Sequence, residues 1–446
     1  LGSIGQESFV AEEKTLCGKP GCGAEIQVAT ARRNGGLCGP CAGRKKAAEW
    51  KEYVEKNRRV VDPYVGVTDP VELLMLIHEE RQSDPLIQWA KPPRGVEELC
   101  RGLSRPEADR LIARLIEEGS GRNEVIRLAR RLVARVTQPD GETRPDREID
   151  LTRCLAAFTE YSLDALLENW AESALFYPGL AYRGAGAGVR DQVLTRLGVN
   201  KMHALRAAAW IGDEVVVEEF RRLARYGVMR PESRYTPGAE ATHEAGWEIC
   251  EGKRRELTLP KAYGLKTAGE VPAEAIWIGE QKEEVCPWCG NGLRSIIRTT
   301  STELLSVLGL ATEMLEIVTC ELCACYGEVF GELDSEGRGG WSRHNKKSSE
   351  HQRVGELGEN PWRGIGIQSE RRGIYHSADV FLPTTYTQFG GLPGWVQGAA
   401  YPTCRGCHRT MVFVAQVDLG DRGEEGVYYA FLCKECRLTG SCYQQT

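Results

Sequence analysis

Twelve of the chain's 17 cysteines fall into six close pairs, and this pattern constrains the fold more than any other feature. A two-residue spacer lets one tight turn present two sulfurs to one metal ion, and two such knuckles complete a tetrahedral four-thiolate zinc site. Cys404-Arg-Gly-Cys407 is answered by Cys433-Lys-Glu-Cys436 across two apolar runs, residues 411–417 and 427–432. Cys286-Pro-Trp-Cys289 is answered by Cys320-Glu-Leu-Cys323, and the wider Cys17-x4-Cys22 by Cys38-Gly-Pro-Cys41. An odd cysteine total and a length of 446 residues, too long to need stapling, argue against a disulfide framework. Three structural zinc ions are therefore expected on these quartets. The singletons Cys100, Cys154, Cys250, Cys325 and Cys442 read as small buried hydrophobes, with Cys325 an alternative to Cys323 as ligand.

The fold class expected is α+β: an N-terminal zinc ribbon with a charged helix (1–60), a helical middle with a HEAT-like hairpin (61–270), and a β-rich zinc-binding part (271–446). No run reaches the ~20 apolar residues that a membrane helix needs, and residues 1–10 lack the basic start and apolar middle of a signal peptide. Free thiols and zinc make the cytoplasm the expected location. The formal charge of −6 becomes more negative when each four-thiolate zinc site contributes about −2, which argues against general nucleic-acid binding.

Residues 42–59 read as a basic helix leaving the first zinc knuckle. Asp69-Pro70 caps a helix expected to reach Arg81, and Ser104-Arg-Pro-Glu107 is a capping box ahead of apolar residues at helical spacing. A second helix over 125–136 completes a hairpin, and 137–147 is a linker. Further helices are expected over 151–170, 189–197, 201–211 and 214–226. The last two, joined by Gly212-Asp213, resemble one HEAT-type unit. Arg183-Gly-Ala-Gly-Ala-Gly188 lacks both the Gly-Lys-Ser/Thr of a phosphate loop and the third glycine of a dinucleotide fingerprint, so it reads as a turn. Residues 230–269 are expected to pack across the junction with a mostly β part, whose strands are read at 275–278, 315–318, 326–333, 380–382, 411–417 and 427–432. The second and third quartets look like a loose internal repeat. Residues 335–377, with His344, His351 and His376, read as a long exposed loop.

Gln388-Phe-Gly-Gly-Leu-Pro-Gly-Trp-Val-Gln397, then the strand with Gln416 and Asp418, then the aromatic strand 427–432, resemble the YwqG-like family of uncharacterised bacterial proteins. The resemblance covers the last sixty to seventy residues, and the chain departs from the simplest members by its complete four-cysteine site. The remainder is similar to bacterial proteins that combine helical repeats with zinc ribbons. That likeness implies a protein partner, with a secreted toxin the one it suggests.

Catalytic zinc needs an open coordination position, and full cysteine quartets leave none. His78-Glu79 and His243-Glu244 lack the second histidine of a metalloprotease motif, and no catalytic residue is singled out. His408, beside Cys407, is a candidate donor to a zinc-bound sulfur. The function expected is non-catalytic protein binding on a zinc-stabilised scaffold, with toxin immunity the implied setting. Two readings stay open: nucleic-acid binding through the basic helix, and an enzyme whose site lies within 344–416, where Trp395, Gln397 and Gln416 would line a concave surface. Chelation is expected to unfold the C-terminal half.

Overall fold

The computed structural model describes residues 14–79, 81, 83–120, 147–197, 201–225, 237–267, 276–347, 365–418 and 426–445. The chain forms two compact units, one from Leu1–Thr68 and Glu79–Pro93, the other from Asp69–His78 and Arg94–Thr446. No helix among the described residues is long and apolar enough to cross a membrane.

In the first unit, β1 (Lys14–Leu16) pairs antiparallel with β2 (Glu25–Gln27), which runs into α1 (Val28–Arg33). The long helix α2 (Gly39–Asn57) starts from an extended Cys38, with Pro40 in its first turn, where a missing N–H costs nothing. Ion pairs at helical spacing, Lys45–Glu49 (3.9 Å) and Lys51–Glu55 (4.0 Å), support its exposed surface. After it, β3 (Arg59–Val61) lies parallel to β4 (Ile87–Trp89).

The second unit opens with α3 (Pro70–Ile77), whose first N–H groups, from Val71 and Glu72, bond to the Asp69 carboxylate. It stops at His78, short of the expected Arg81. Then come α4 (Val96–Gly102) and α5 (Arg105–Ser120); the Ser104 N–H (2.7 Å) and hydroxyl (2.6 Å) both donate to the Glu107 carboxylate, the Glu half of the expected capping box. The expected helix at 125–136 and most of the linker after it lie outside the described residues. The single helix expected over 151–170 is two, α6 (Arg147–Phe158) and α7 (Asp164–Glu172). Between them the Thr159 hydroxyl bonds back to the Leu155 carbonyl (2.7 Å) and the Tyr161 hydroxyl to the Leu103 carbonyl (2.6 Å). The first bond is local and offers the backbone an alternative to continuing the helix, while the second ties the break to the residue after α4.

The glycine-rich turn leads into α8 (Ala187–Thr195), and the Asp164 carboxylate receives the Gly186 N–H (2.9 Å), so a side chain of the protein holds the position where a phosphate loop holds its ligand. Next are α9 (Lys201–Ile211), α10 (Glu214–Arg225) and α11 (Pro237–Glu244). Asp213 caps α10 by accepting from the Val216 N–H (2.9 Å). The hairpin β5 (Trp247–Cys250) and β6 (Lys253–Glu256) performs the junction role expected of this region. Fully buried Trp247 packs on Phe220 and donates to the Ala209 carbonyl (2.9 Å), while the Leu257 carbonyl accepts from the Phe413 N–H (2.7 Å).

The remaining strands are β7 (Leu259–Thr267), β8 (Ile276–Val285), β9 (Gly292–Thr299), β10 (Leu315–Thr319), β11 (Val329–Leu333), β12 (Gly339–Trp341), β13 (Ile365–Arg372), β14 (Gln388–Gly391), β15 (Val412–Asp418), β16 (Val427–Cys433) and β17 (Leu438–Gln444). They form one antiparallel sheet in the order β10-β9-β8-β13-β7-β14-β15-β16-β17-β11-β12. Thus the boundary expected at 270 falls inside the sheet, because β7 pairs with β13 and β14. Strands β15 and β16 are buried on both faces, as their unbroken apolar runs suggest. Ile278, Ile297, Val414, Ala430 and Leu432 belong to one core; Phe413, Tyr429 and Phe431 belong to another, with Tyr401 and Trp395.

The sheet curls until its ends meet. The Glu316 N–H of β10 bonds to the Gly337 carbonyl (3.0 Å), just before β12, and the Gly339 N–H bonds to the Glu316 carboxylate (3.0 Å). That buried carboxylate also takes the Ser295 hydroxyl (2.5 Å) and the Lys282 ammonium (2.8 Å), so its charge is fully paired. At Gly337, where φ is +94°, a Cβ would sit 1.8 Å from the Met314 carbonyl oxygen, so the seam admits only glycine there.

Residues 380–382, expected as a strand, form a turn: the Asp379 carboxylate accepts the Phe381 N–H (2.9 Å) and pairs with Arg153. The expected exposed loop 335–377 contains β12 and β13, and its His376 is buried at 4% exposure. His344 is half-buried, and His351 lies outside the described residues.

Candidate metal centres

Each predicted quartet comes together. The sulfurs of Cys17, Cys22, Cys38 and Cys41 all lie within 4.8 Å of one another, as do those of Cys286, Cys289, Cys320 and Cys323, and those of Cys404, Cys407, Cys433 and Cys436. All 17 cysteines are free thiols. Contacts of 3.7 Å (Cys22–Cys38), 3.4 Å (Cys289–Cys320) and 3.6 Å (Cys407–Cys433) far exceed the ~2.05 Å of a disulfide. They approach the ~3.8 Å edge of a tetrahedron whose centre is ~2.3 Å from each sulfur. The donor sets therefore fit a tetrahedral metal ion, with all four positions filled by protein.

The local architecture explains each set. In the first, the Cys17–Cys22 turn joins β1 to β2, and Cys38 and Cys41 sit at the start of α2. The partial positive charge of a helix N-terminus favours thiolates. The Cys38 N–H donates to the Cys17 sulfur (3.2 Å); this backbone bond is the main cause holding the Cys17 thiol low, at about 6. Arg44 Nη2 donates to the Cys41 sulfur (3.1 Å).

The second and third sets share one plan. Cys286–Cys289 leads into β9, Cys320 directly follows that strand's antiparallel partner β10, and the short helix α12 (Glu321–Ala324) carries Cys323. Cys404–Cys407 precedes β15, and its partner β16 ends at Cys433, with Cys436 in the turn to β17. A knuckle before one strand thus meets a knuckle after its antiparallel neighbour. This is the loose repeat that the sequence suggests.

Cys323 completes the second set; Cys325 is exposed and donates to the Glu321 carbonyl (3.3 Å). Cys100, Cys154 and Cys442 are buried, and burial pushes the Cys100 thiol up to about 12, which suits a packed, unreactive group. His408 is exposed, with a left-handed φ of +61° at its turn. The side-chain donors to sulfur include Arg44 and Asn291, whose Nδ2 reaches the Cys289 sulfur (3.3 Å). Only their closeness in sequence to a knuckle marks them.

Gln388–Gly394 is a buried latch. Gln416 accepts from the Gly394 N–H (2.9 Å) and donates to the Tyr386 carbonyl (2.8 Å). Gln388 donates to the Leu392 carbonyl (2.6 Å) and accepts from Arg372 (2.8 Å). Trp395 is half-buried, stacked on Tyr429 at 4.7 Å, and Gln397 is exposed, bonding to the Gln445 carbonyl (2.7 Å). The three residues expected to line an enzyme pocket occupy three different settings. Inside the sheet, a cavity lined in part by Ile278, Arg294, Thr319, Glu321 and Tyr428 holds about 20 Å³, room for one water.

Two further clusters carry no sequence motif. Arg153, 1% exposed, pairs with Asp379 (2.7 Å) and Asp150 (2.8 Å), donates to the Tyr177 hydroxyl (3.1 Å), and lies under the rings of Phe381 and Tyr177. Nearby in sequence, His376 Nδ1 lies 3.3 Å from the Glu97 carboxylate. His376, joined by Arg101, holds the Glu97 carboxyl down at about 2. A groove of about 470 Å³ runs along α4, lined by Gly95, Glu97, Glu98, Arg101 and Pro383 among others.

No family model matches the chain, and no solved structure matches it. It is 34% identical over 455 residues to the uncharacterized protein YpfL of Salmonella typhimurium, across 98% of this chain and 100% of that protein. Identity at that level over the whole of both chains shows that this chain belongs to the YpfL family.

Proposed function

We propose that the chain is a non-catalytic protein-binding protein held by three structural zinc ions. Zinc is the ion we assign because it is the common tenant of closed four-thiolate tetrahedra and has no redox chemistry to manage. The observation that carries the binding reading is the aromatic surface beside the α4 groove. Phe381, 53% exposed, and Tyr177 flank the buried Arg153, and Pro383, two residues on, lines the groove. Exposed aromatic groups next to a concavity, here one lined by Arg101, are what protein interfaces use as anchors. Toxin immunity, implied by the family-like resemblance, is the setting we propose for this binding.

The test is affinity capture from the native host lysate with the parent chain and with Phe381→Glu, each with and without nuclease. A stoichiometric protein held by the parent, indifferent to nuclease and lost from the variant, is the expected result. The same proteins on both columns, or a yield that nuclease abolishes, would overturn the assignment of this surface. Metal content by atomic emission should be about three zinc equivalents per chain.

A further inference from the structure

The middle of α2 is a stretch of helix held at both ends, with residues 43–53 exposed among the described residues. Its first turn carries Cys38 and Cys41, with Arg44 tied to the Cys41 sulfur. At its far end Val54 is buried, the Arg58 N–H bonds to the Val54 carbonyl, and Arg58 Nε reaches the Pro85 carbonyl (3.2 Å). On the exposed stretch Trp50 and Tyr53 stack at 5.6 Å with 19° between their rings, and each is more than half exposed (53% and 51%). A surface indole and phenol held parallel in water form a platform with its upper faces unused.

The charge around the platform selects its occupant. Lys46, Trp50 and Tyr53 follow one another at i, i+4 and i+7, so they share one face; its flank carries Lys45 and Lys56 together with Glu49, which pairs with Lys45 at 3.9 Å. Residues 14–59 contain eleven Lys and Arg against four Glu, in a chain whose net charge is −6. The first metal site, at about −2, leaves this region clearly positive. Protein interfaces are depleted of lysine at their centres, whereas stacked aromatics between lysines match a polymer of bases and phosphates. Bases inside a duplex already stack on each other, so the ring faces favour a single strand.

We propose that this face of α2 binds single-stranded nucleic acid, with bases stacking on Trp50 and Tyr53 and phosphates meeting Lys45, Lys46 and Lys56. The face lies in a different compact unit from the Phe381 surface, so the two bindings stand or fall separately. Stacking tolerates every base, so little sequence preference is expected. RNA and DNA differ by a hydroxyl that this chemistry does not read.

The test uses the full metal-loaded chain and fluorescein-labelled oligo(dT), oligo(U) and duplex DNA of about twenty units, longer than a ~4–16-nucleotide site. Anisotropy titrations run between about 50 and 200 mM salt. Three neutralised phosphates predict a slope of log K against log salt of about −2 for single strands, with the duplex bound more weakly. Replacing both rings (Trp50→Ala with Tyr53→Ala) should weaken binding at least ~10-fold with the slope unchanged. Trp50→Phe with Tyr53→Phe should restore it. Lys45→Glu, Lys46→Glu and Lys56→Glu together should flatten the slope. Metal content near three equivalents in each variant confirms that it folds. If an alanine variant loses metal, the Phe variant and the duplex comparison decide alone. Absence of salt-sensitive binding at the lowest salt, a duplex held as tightly as the single strand, alanine variants that bind like the parent, or equal competition by an oligoglutamate would each overturn the proposal. Preference for oligo(U) or oligo(dT) assigns RNA or DNA, and equal binding means that the site takes both.

Discussion

The first unit and the eleven-stranded sheet both carry four-cysteine centres, yet a metal bound there would have a different task in each. In the first unit the buried cluster around the centre is the ligands themselves, Cys17, Cys38 and Cys41, with the partly buried Cys22, Ala24, Ile26 and Leu37 packed against them. The sheet has extensive cores on both faces, and its two centres grip the ends of strands that are already packed. A metal can therefore stand in for a core in one place and act as a clip in another. This sharpens the expectation that chelation unfolds the C-terminal half into a test: the apolar burial there should hold the sheet after metal removal, whereas the first unit, with its small core, should come apart.

The sharpest way to break the comparison is to remove one ligand from each. Cys41→Ser should unfold the first unit outright, since a structural zinc contributes on the order of 10 kcal/mol to such a fold. Cys404→Ser should lose one metal equivalent and leave the cooperative melt of the sheet in place. Limited proteolysis with metal analysis reads both, and a Cys404→Ser chain digested throughout would end the distinction.

Next in size is the buried arginine. Arg153→Met leaves Asp379 and Asp150 without their cation, which should cost about 3–5 kcal/mol in urea unfolding of the second unit. The effect should persist after chelation if protein contacts rather than metal hold this unit; its disappearance would show that the unit had already come apart. Gly337→Ala, which forces a Cβ against the Met314 carbonyl at a left-handed φ, should cost about 3 kcal/mol and open the seam. Hydrogen exchange at the Glu316 amide should rise first.

How much of this was legible in advance follows from which interactions are local. The ligands declare themselves because a knuckle is one turn of chain, and the Asp69 cap and the Ser104–Glu107 box are likewise read within four residues. The apolar runs of β15 and β16 are plain, but β13 and β14 were not read because Ile365–Arg372 is half polar and Gln388–Gly391 is half glycine. Their assignment comes from partners on other strands, of which β7 is about a hundred residues or more away, as with Tyr263 opposite Arg371. Buried His376 and Arg153 were hidden for the same reason, since Glu97 and Asp379 are long-range partners that carry no spacing rule.

The smallest effect separates the two units by acid. Thiolates lose metal as they are protonated, so the first unit should fail early on acidification. The Glu97 carboxyl, held at about 2 by His376 in the fold, is depressed below its ordinary 4.5. Its contribution is therefore fully present above its unfolded value and fades as pH falls towards about 2. Glu97→Gln should lower the urea midpoint of the second unit near neutrality and remove that acid-side slope, while the pH at which the first unit releases metal stays unchanged. A shift in metal release would mean that the two are coupled.

The Glu316 seam has a last consequence. The bonds from Met314 and Glu316 to the turn before β12 occupy backbone groups that a terminal strand would otherwise offer to a neighbouring molecule. Closing the ring in this way should reduce pairing between copies at that edge, which thioflavin fluorescence of the concentrated protein would read. Lengthening the 334–338 turn, a change that touches no metal ligand, should convert the chain into one that recruits copies of itself through those freed groups.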